Sequence, residues 1–273
     1  IRSARRALPH VPHVAVFDTA FFANLPEAAR VYPVPWEWTS EWGIRRFGFH
    51  GLSHEHANAA AARWRGGSSE AGLRVVSCHL GQGCSAAAAE GGKPVATTMG
   101  FTPLEGLMMG SRSGSVDPGI LTWVLARTGW TPGRLEEALS KSSGLLGVSG
   151  ISSDFRRVEA AAAAGNPRAH LALEIYADRV RAAVGALSAA LGGLDMLVFT
   201  GGVGEHSASM RAAICWKLGY LGIALDAERN SVSSEADREV SKPGSHARVL
   251  VVRAGEEAVI ARKTRSIIAS REE

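Results

Sequence analysis

The sequence predicts a mixed α/β fold in which a β-meander comes first and strands alternating with helices follow. Three observations carry this: short β-rich segments split by glycine turns between residues 74 and 99, three proline-led helix starts, and two later apolar runs of strand length. Arg74 to Leu80 (RVVSCHL) opens the meander and runs straight into Gly81-Gln82-Gly83. Cys84 to Ala89 leads to the turn Gly91-Gly92, and Pro94 to Met99 completes it. Asp117-Pro118, Thr131-Pro132 and Asn166-Pro167 each pair a capping side chain with proline at the first helical position. They predict helices over Gly119 to Arg127, Gly133 to Lys141 and Arg168 to Leu191. In the last, Leu173, Tyr176, Val180, Val184, Leu187 and Leu191 recur at spacings of three and four, the stripe of a helix lying on a flat surface. Leu194 to Thr200 is continuously apolar, as in a strand covered on both faces, and breaks into Gly201-Gly202-Val203-Gly204-Glu205. Ser207 or Ser209 caps a helix through Leu218, Ala247 to Arg253 is a further buried strand, and Glu256 to Ile268 a final helix. Its packing residues are Val259, Ala261, Thr264, Ile267 and Ile268.

A chain of 273 residues with 46% hydrophobic and 21% charged residues excludes disordered, collagenous and disulfide-scaffold classes, and is long enough for one large or two ordinary domains. The net charge of +4 is spread without any block of like charges, so neither nucleic acid nor a membrane surface is an expected partner. No apolar run reaches membrane-span length. Cys78, Cys84 and Cys215 lack CxxC spacing and are odd in number, which points to buried, unreactive thiols in a reducing, cytoplasmic setting. The chain opens on Ile1, without a methionine or a signal-like segment, and is expected to be a fragment of a longer protein.

Chemistry is expected where glycines follow buried strands. The clusters His79-Leu80-Gly81-Gln82-Gly83 and Thr200 to Glu205 stand at strand ends, where glycine lets backbone N–H groups approach a phosphate. Neither matches a P-loop or a dinucleotide fingerprint, and each alone reads as a tight turn; two together point to a nucleotide. Phe47 to His56 holds three histidines, but Gly51 interrupts the pair His50/His54 and HExxH is absent, which disfavours metal. The plain alternative there is a helix capped at Ser53 with His54 and His56 exposed, leaving His50 to face a cleft. Arg112, in a loop of glycine and serine ahead of a helix, suits phosphoryl oxygens, with a surface arginine as the alternative. Asp154 can cap a helix. Asp18, after the apolar run His13 to Phe17, either caps a turn or holds Mg²⁺ through water at a strand end.

Seven ordered motifs resemble the acetate kinase family, which comprises acetate and propionate kinases: VFDTAF (Val16 to Phe21), RRFGFHGLSHE (Arg45 to Glu55), HLGQGCS (His79 to Ser85), MGFTPLEGLMMGSRSG (Met99 to Gly114), SGLLGVSGISSDFR (Ser143 to Arg156), FTGGVGEHSASMR (Phe199 to Arg211) and EEAVIARKT (Glu256 to Thr264). The resemblance implies a ribonuclease-H-like lobe of the fold shared with sugar kinases, Hsp70 and actin. Residues 1–20 would be a remnant of the first, substrate-holding lobe, residues 21–255 the second, nucleotide-binding lobe, and residues 256–273 a terminal helix returning to the first lobe with its apolar side unpartnered in this chain. It also implies reversible, Mg²⁺-dependent transfer of a phosphoryl group from ATP to acetate, giving ADP and acetyl phosphate. Propionate is the alternative acceptor, Mn²⁺ an alternative ion, and the complete family members are commonly homodimers.

Residue by residue, the resemblance implies that Arg112 and His50 contact the transferring phosphoryl group and that Asp18 positions Mg²⁺ and substrate. An ionised carboxylate acceptor needs no general base. Glu256 matches the metal-site glutamate. ATP would be held by His79, Leu80, Gly81, Gln82 and Gly83, by Asp154, Phe155 and Arg156, and by Gly202, Val203, Gly204, Glu205 and His206. Phe49 and Pro103 would line the small apolar pocket. Gln82, Ser115, His206 and Ala254-Gly255 depart from the family's usual residues. The family's opening strand with its serine-rich phosphate loop, and the first-lobe arginine for the acetate carboxylate, have no counterpart in the sequence. The full enzyme is therefore expected to be active, and the chain alone a non-catalytic nucleotide-binding module.

Overall fold

The computed structural model describes residues 1–66 and 72–270. Its centre is a six-stranded sheet in the order β3-β2-β1-β4-β6-β5. The strands are β1 (Arg74–Leu80), β2 (Cys84–Glu90), β3 (Lys93–Thr97), β4 (Met196–Thr200), β5 (Arg238–Glu239) and β6 (Arg248–Val251). The meander is antiparallel, with His79 opposite Ser85 and Leu80 opposite Cys84 across the Gly81-Gln82-Gly83 turn. β4 then returns parallel to β1 and β6 parallel to β4, so β1 and β4 lie side by side and point the same way. Parallel neighbours need a crossover, and the long Pro167–Ala190 helix supplies the first.

The sheet is covered on both faces, and the period of two along each strand decides what each face meets. Val76, Cys78 and Leu80 of β1, with Leu197 and Phe199 of β4, pack against Tyr176, Val180, Val184 and Leu187 of the long helix. These four belong to the predicted amphipathic stripe and are buried, as is Leu191 just past the helix end, while Leu173 is only partly buried. On the other face Val75, Met196, Val198, Leu250 and Val252 pack against Ala57, Ala60 and Ala61 of the Gly51–Arg65 helix. Small alanines let this helix sit close to the sheet. The remaining β1 residues on that face are Ser77 and His79, so the apolar layer gives way to a polar one toward the strand's C-terminal end.

The proline-led helices form as the sequence predicts. The Asp117, Asn166 and Thr131 side chains accept backbone N–H groups in the first turns of the Pro118–Thr128, Pro167–Ala190 and Pro132–Lys141 helices. Ser207, not Ser209, caps the next helix, which ends at Cys215 rather than Leu218 because Trp216 turns to ψ 129°, followed by a left-handed Lys217 at φ 71°. The Gly201–His206 cluster is itself a short helix, and β5 is a strand not expected from its residues. The run His13 to Phe17 has no strand partner among the described residues, so Asp18 does not stand at a strand end. The three cysteines are free and buried, and no helix among the described residues is long and apolar enough to cross a membrane.

The terminal Glu256–Ala269 helix lies along the Gly51–Arg65 helix. Arg262 and Lys263 reach Glu55 at 3.1 and 2.8 Å. Val259 is buried, while Ile267, expected to pack, is 40% exposed. Residues 271–273 of the predicted terminal stretch lie outside the described residues.

Candidate active site

Because β1 and β4 are parallel neighbours, both glycine turns emerge at the same C-terminal end of the sheet, where α/β folds bind ligands. A Cβ on Gly201 would sit 2.8 Å from the Leu80 carbonyl oxygen, and its φ of +77° is left-handed. Glycine is what allows the two turns to pack. Beside them lies a cleft of about 570 Å³, lined by Gly81, Gln82, Asp154, Phe155, Arg156 and, from the second turn, Gly202, Val203 and His206. Three segments distant in sequence thus converge on one cleft. Asp154 caps the Phe155–Ala163 helix by accepting the Arg156 N–H at 2.9 Å, and the Arg156 guanidinium returns to the same carboxylate. Their pairing holds the Asp154 carboxyl below the usual carboxylate range.

Some predicted cleft residues lie beneath it rather than in its wall. Leu80 is core, Gly204 is buried, and the Glu205 carboxylate accepts N–H bonds from Gly201 and Ala254, tying the second turn to the chain after β6. Ser153, Glu159 and Ser207 line the cleft and were not expected. Glu159 accepts hydroxyl hydrogens from Ser207 and Ser209 across a gap of nearly fifty residues, which no local sequence signal could reveal.

At the Gly83 end of the first turn, His50 and Arg112 come together. A Cβ on Gly83 would lie 3.0 Å from His50 Nε2 and 3.7 Å from an Arg112 guanidinium nitrogen, so the glycine leaves room in front of both. Arg112 is half-buried and donates to the Pro103 carbonyl at 3.0 Å, which fixes its reach. Burial, then the nearby Arg112 charge, push the His50 pKa down to about 4. His50 is therefore a neutral ring at pH 7 beside a permanent cation. Phe49 is half-buried against the main core.

The backbone at His50 is left-handed, φ 55°, and Asp18 explains how a non-glycine residue is held there. Its carboxylate accepts the His50 N–H at 2.6 Å and the Leu52 N–H at 3.5 Å, while its carbonyl accepts from Gly51 at 3.0 Å. A Cβ on Gly51 would sit 2.0 Å from that carbonyl oxygen, which requires glycine. The helix thus starts at Gly51 with His50 as its N-cap, not at Ser53. His54 is fully buried rather than exposed, and His56 is half-buried. The reason is the polar layer under this helix: Ser53 Oγ meets His79 Nδ1 at 2.8 Å, and His54 Nδ1 meets Ser77 Oγ at 2.7 Å. Burial and the neighbouring rings push the His54 pKa well down, and burial takes His79 to about 3.

Glu256 opens the terminal helix close enough to Asp18 that burial, and then the Asp18 charge, raise its pKa. Two half-buried carboxylates near one another suit a hard divalent cation completed by water and phosphate oxygens. Among the described residues no group of three or more His, Cys, Asp or Glu side chains forms an all-protein cage.

The acetokinase family model matches residues 1–262. The propionate kinase of Citrobacter rodentium is 54% identical over 261 residues, covering 94% of this chain and 63% of that protein. The acetate kinase of a Cyanothece species is 52% identical over 261 residues, covering 96% and 63% respectively. Among solved structures, Porphyromonas gingivalis acetate kinase superposes with a TM-score of 0.94 at 42% identity, over 98% of this chain and 67% of that one. Entamoeba histolytica acetate kinase superposes at 0.90 with 32% identity, over 97% and 69%. The chain spans about 63% of the length of these curated relatives. Its fold is that of the acetate kinases, and by both sequence and structure it belongs to the acetokinase family.

Proposed function

We propose that this chain carries the nucleotide-binding and phosphoryl-stabilising groups of an acetate kinase, which transfers the γ-phosphoryl of ATP reversibly to the carboxylate of acetate. The observation that carries this reading is the convergence of His50 and Arg112 in front of Gly83, at the end of the turn that walls the cleft. Phosphoryl transfer asks for positioning and charge neutralisation more than for covalent chemistry. Arg112 supplies a permanent planar cation, anchored through Pro103, and the neutral His50 ring supplies a hydrogen bond without adding charge. ATP lies along the cleft, its phosphates on backbone N–H groups of Gln82, Gly83, Gly202 and Val203 and its adenosine beside Phe155 and His206.

Asp18 is engaged by two backbone N–H groups, which makes it an acceptor and an anchor of the His50 turn rather than a base. The acceptor carboxylate is already ionised and needs none. Asp18 and Glu256 would hold Mg²⁺, whose charge offsets that of the phosphates when bound. Phe49 and Pro103 border the acyl group. As the resemblance implies, the arginine for the acetate carboxylate belongs to the part of the relatives that this chain does not span. The chain alone is therefore proposed to bind Mg·ATP, and turnover to need that part. The three unpaired thiols support a cytoplasmic setting. The Pro118–Thr128 helix buries none of its residues and exposes Ile120 and Trp123, an apolar face we assign to a homodimer contact.

Trapping of acyl phosphate as the hydroxamate, from acetate or propionate with Mg·ATP, tests the reading in the chain joined to the relatives' remaining segment. Arg112→Ala should lower turnover by about 10²- to 10³-fold, the usual cost of one transition-state donor. Activity unchanged by that substitution would refute the assignment, and a preference for propionate would change the acceptor.

A further inference from the structure

The cluster beneath the Gly51–Arg65 helix contains three rings and three hydroxyls, more polar chemistry than capping requires. Ser85 Oγ lies between two histidines, 2.9 Å from His50 Nδ1 and 2.7 Å from His54 Nε2. His54 meets Ser77 Oγ with its other nitrogen at 2.7 Å, so both of its ring atoms are committed. His54, Ser77 and Ser85 are all at most 1% exposed. We propose that Ser85 is a positioning residue for the site: its single hydroxyl hydrogen couples the tautomer of His50 to that of buried His54 and makes His50 present an N–H to the cleft.

The coupling follows from counting hydrogens. A neutral imidazole has one N–H and one bare nitrogen, and a serine hydroxyl has one hydrogen to give. If Ser85 gives its hydrogen to His54 Nε2, it must accept from His50 Nδ1–H. If it gives its hydrogen to His50 Nδ1, it must accept from His54 Nε2–H. Of the other arrangements, one sets the lone pairs of Ser85 and a ring nitrogen against each other, and the one in which Ser85 accepts from both rings leaves its own buried hydrogen without an acceptor. The two rings therefore share one tautomer, both protonated on Nδ1 or both on Nε2.

Ser77 decides between them. With both rings protonated on Nδ1, Ser77 accepts from His54 and its own hydrogen can go only to the Ala87 carbonyl, 3.5 Å away. That is outside the normal range for an O–H donor, and the site is buried. With both rings protonated on Nε2, the hydrogens run Ser77 to His54, His54 to Ser85 and Ser85 to His50, each over 2.7 to 2.9 Å. His50 then turns Nε2–H toward the space before Gly83. Its plane is also held, because His79 stacks on it at 4.3 Å and 29° and is itself fixed by Ser53. A phosphoryl oxygen in front of Gly83 meets a donor rather than a lone pair. The use of that N–H rests on the proposed kinase reading; the coupling does not.

Nitrogen-15 NMR of histidine-labelled chain at pH 7.5 reads each ring's protonated nitrogen directly. Both His50 and His54 should show the Nε2–H form. In Ser85→Ala the His50 nitrogen shifts should move toward the average of two exchanging tautomers, and Ser85→Thr, which keeps a hydroxyl, should retain the wild-type form. Unlike tautomers on His50 and His54, both rings protonated on Nδ1, or His50 shifts indifferent to Ser85→Ala would each overturn the proposal. The wild-type spectrum alone is decisive should a variant fold poorly. In the hydroxamate assay Ser85→Ala should lower kcat about tenfold with the KM for ATP unchanged, less than deletion of a donor costs. Matched Nε2–H rings without phosphoryl transfer would refute the kinase reading and leave the relay standing.

Discussion

Replacing Arg211 with methionine should destabilise the chain by about 3 to 5 kcal/mol and weaken Mg·ATP binding about tenfold. Arg211 is 1% exposed, and no carboxylate is among its hydrogen-bond partners. Its guanidinium donates instead to the Gly204 and Glu205 carbonyls at 2.9 Å and to the Asn230 side chain and carbonyl at 2.7 Å. These bonds pin the end of the Gly201–His206 turn to the Ala227–Ser231 helix. A bond from a charged donor contributes about 1.5 to 3 kcal/mol net, so four outweigh the burial of the charge. Burial and the nearby Arg238 lower the Arg211 pKa to about 10, a fall that costs the charged form about 3 kcal/mol. Methionine fills most of the volume but supplies no donor, and with the four bonds near the low end of that range the net loss is about 3 to 5 kcal/mol. Urea denaturation gives the stability and calorimetric titration the affinity. A loss below about 1 kcal/mol with unchanged ATP affinity would show that these bonds do not hold the cleft wall.

The remaining predictions concern protons, the helix start and the exposed face. His50 and His79 have folded-state pKa values lowered from 6.5 to about 4 and 3, so the unfolded chain takes up protons first as pH falls. Their contribution to stability should be complete above pH 6.5 and shrink on acidification, by about 2 kcal/mol per ring at pH 5; urea midpoints that stay flat from pH 7 to 5 would contradict it. Asp18→Ala removes the acceptor of two N–H groups at the Gly51 helix start and should cost about 1 to 2 kcal/mol in a thermal melt, whereas an unchanged melting temperature would mean that the carboxylate anchors nothing. If the proposed homodimer contact uses this helix, Trp123→Glu, on a side chain 65% exposed, should shift the distribution toward monomer in sedimentation, and an unaltered distribution would refute that contact.

What the sequence made legible was periodic or punctuated. The stripe from Tyr176 to Leu187 and the apolar run Leu197 to Phe199 announce burial, and proline after Asp117, Thr131 and Asn166 announces helix starts. The glycine turns were visible, and their meeting followed once β1 and β4 were parallel neighbours. The histidines misled because polarity argues for exposure. His54 is buried since Ser77 and Ser85, on strands that look apolar, face the same layer and satisfy both its nitrogens. Asp18 capping His50 across 32 residues and Arg211 bridging carbonyls to Asn230 are long-range hydrogen bonds, for which a single sequence carries no period.

The central claim is that nucleotide lies in the cleft between the two glycine turns, and Gly202 offers its most direct test. A Cβ there meets nothing within 4 Å, so Gly202→Leu should fold normally while projecting a side chain into the cleft. Calorimetric titration of Mg·ATP should give one site in the wild-type chain and at least a 100-fold loss of affinity in Gly202→Leu, with the melting temperature within about 2 °C of wild type. Undiminished ATP affinity in a folded Gly202→Leu chain, or no ATP binding by the wild-type chain, would contradict the account.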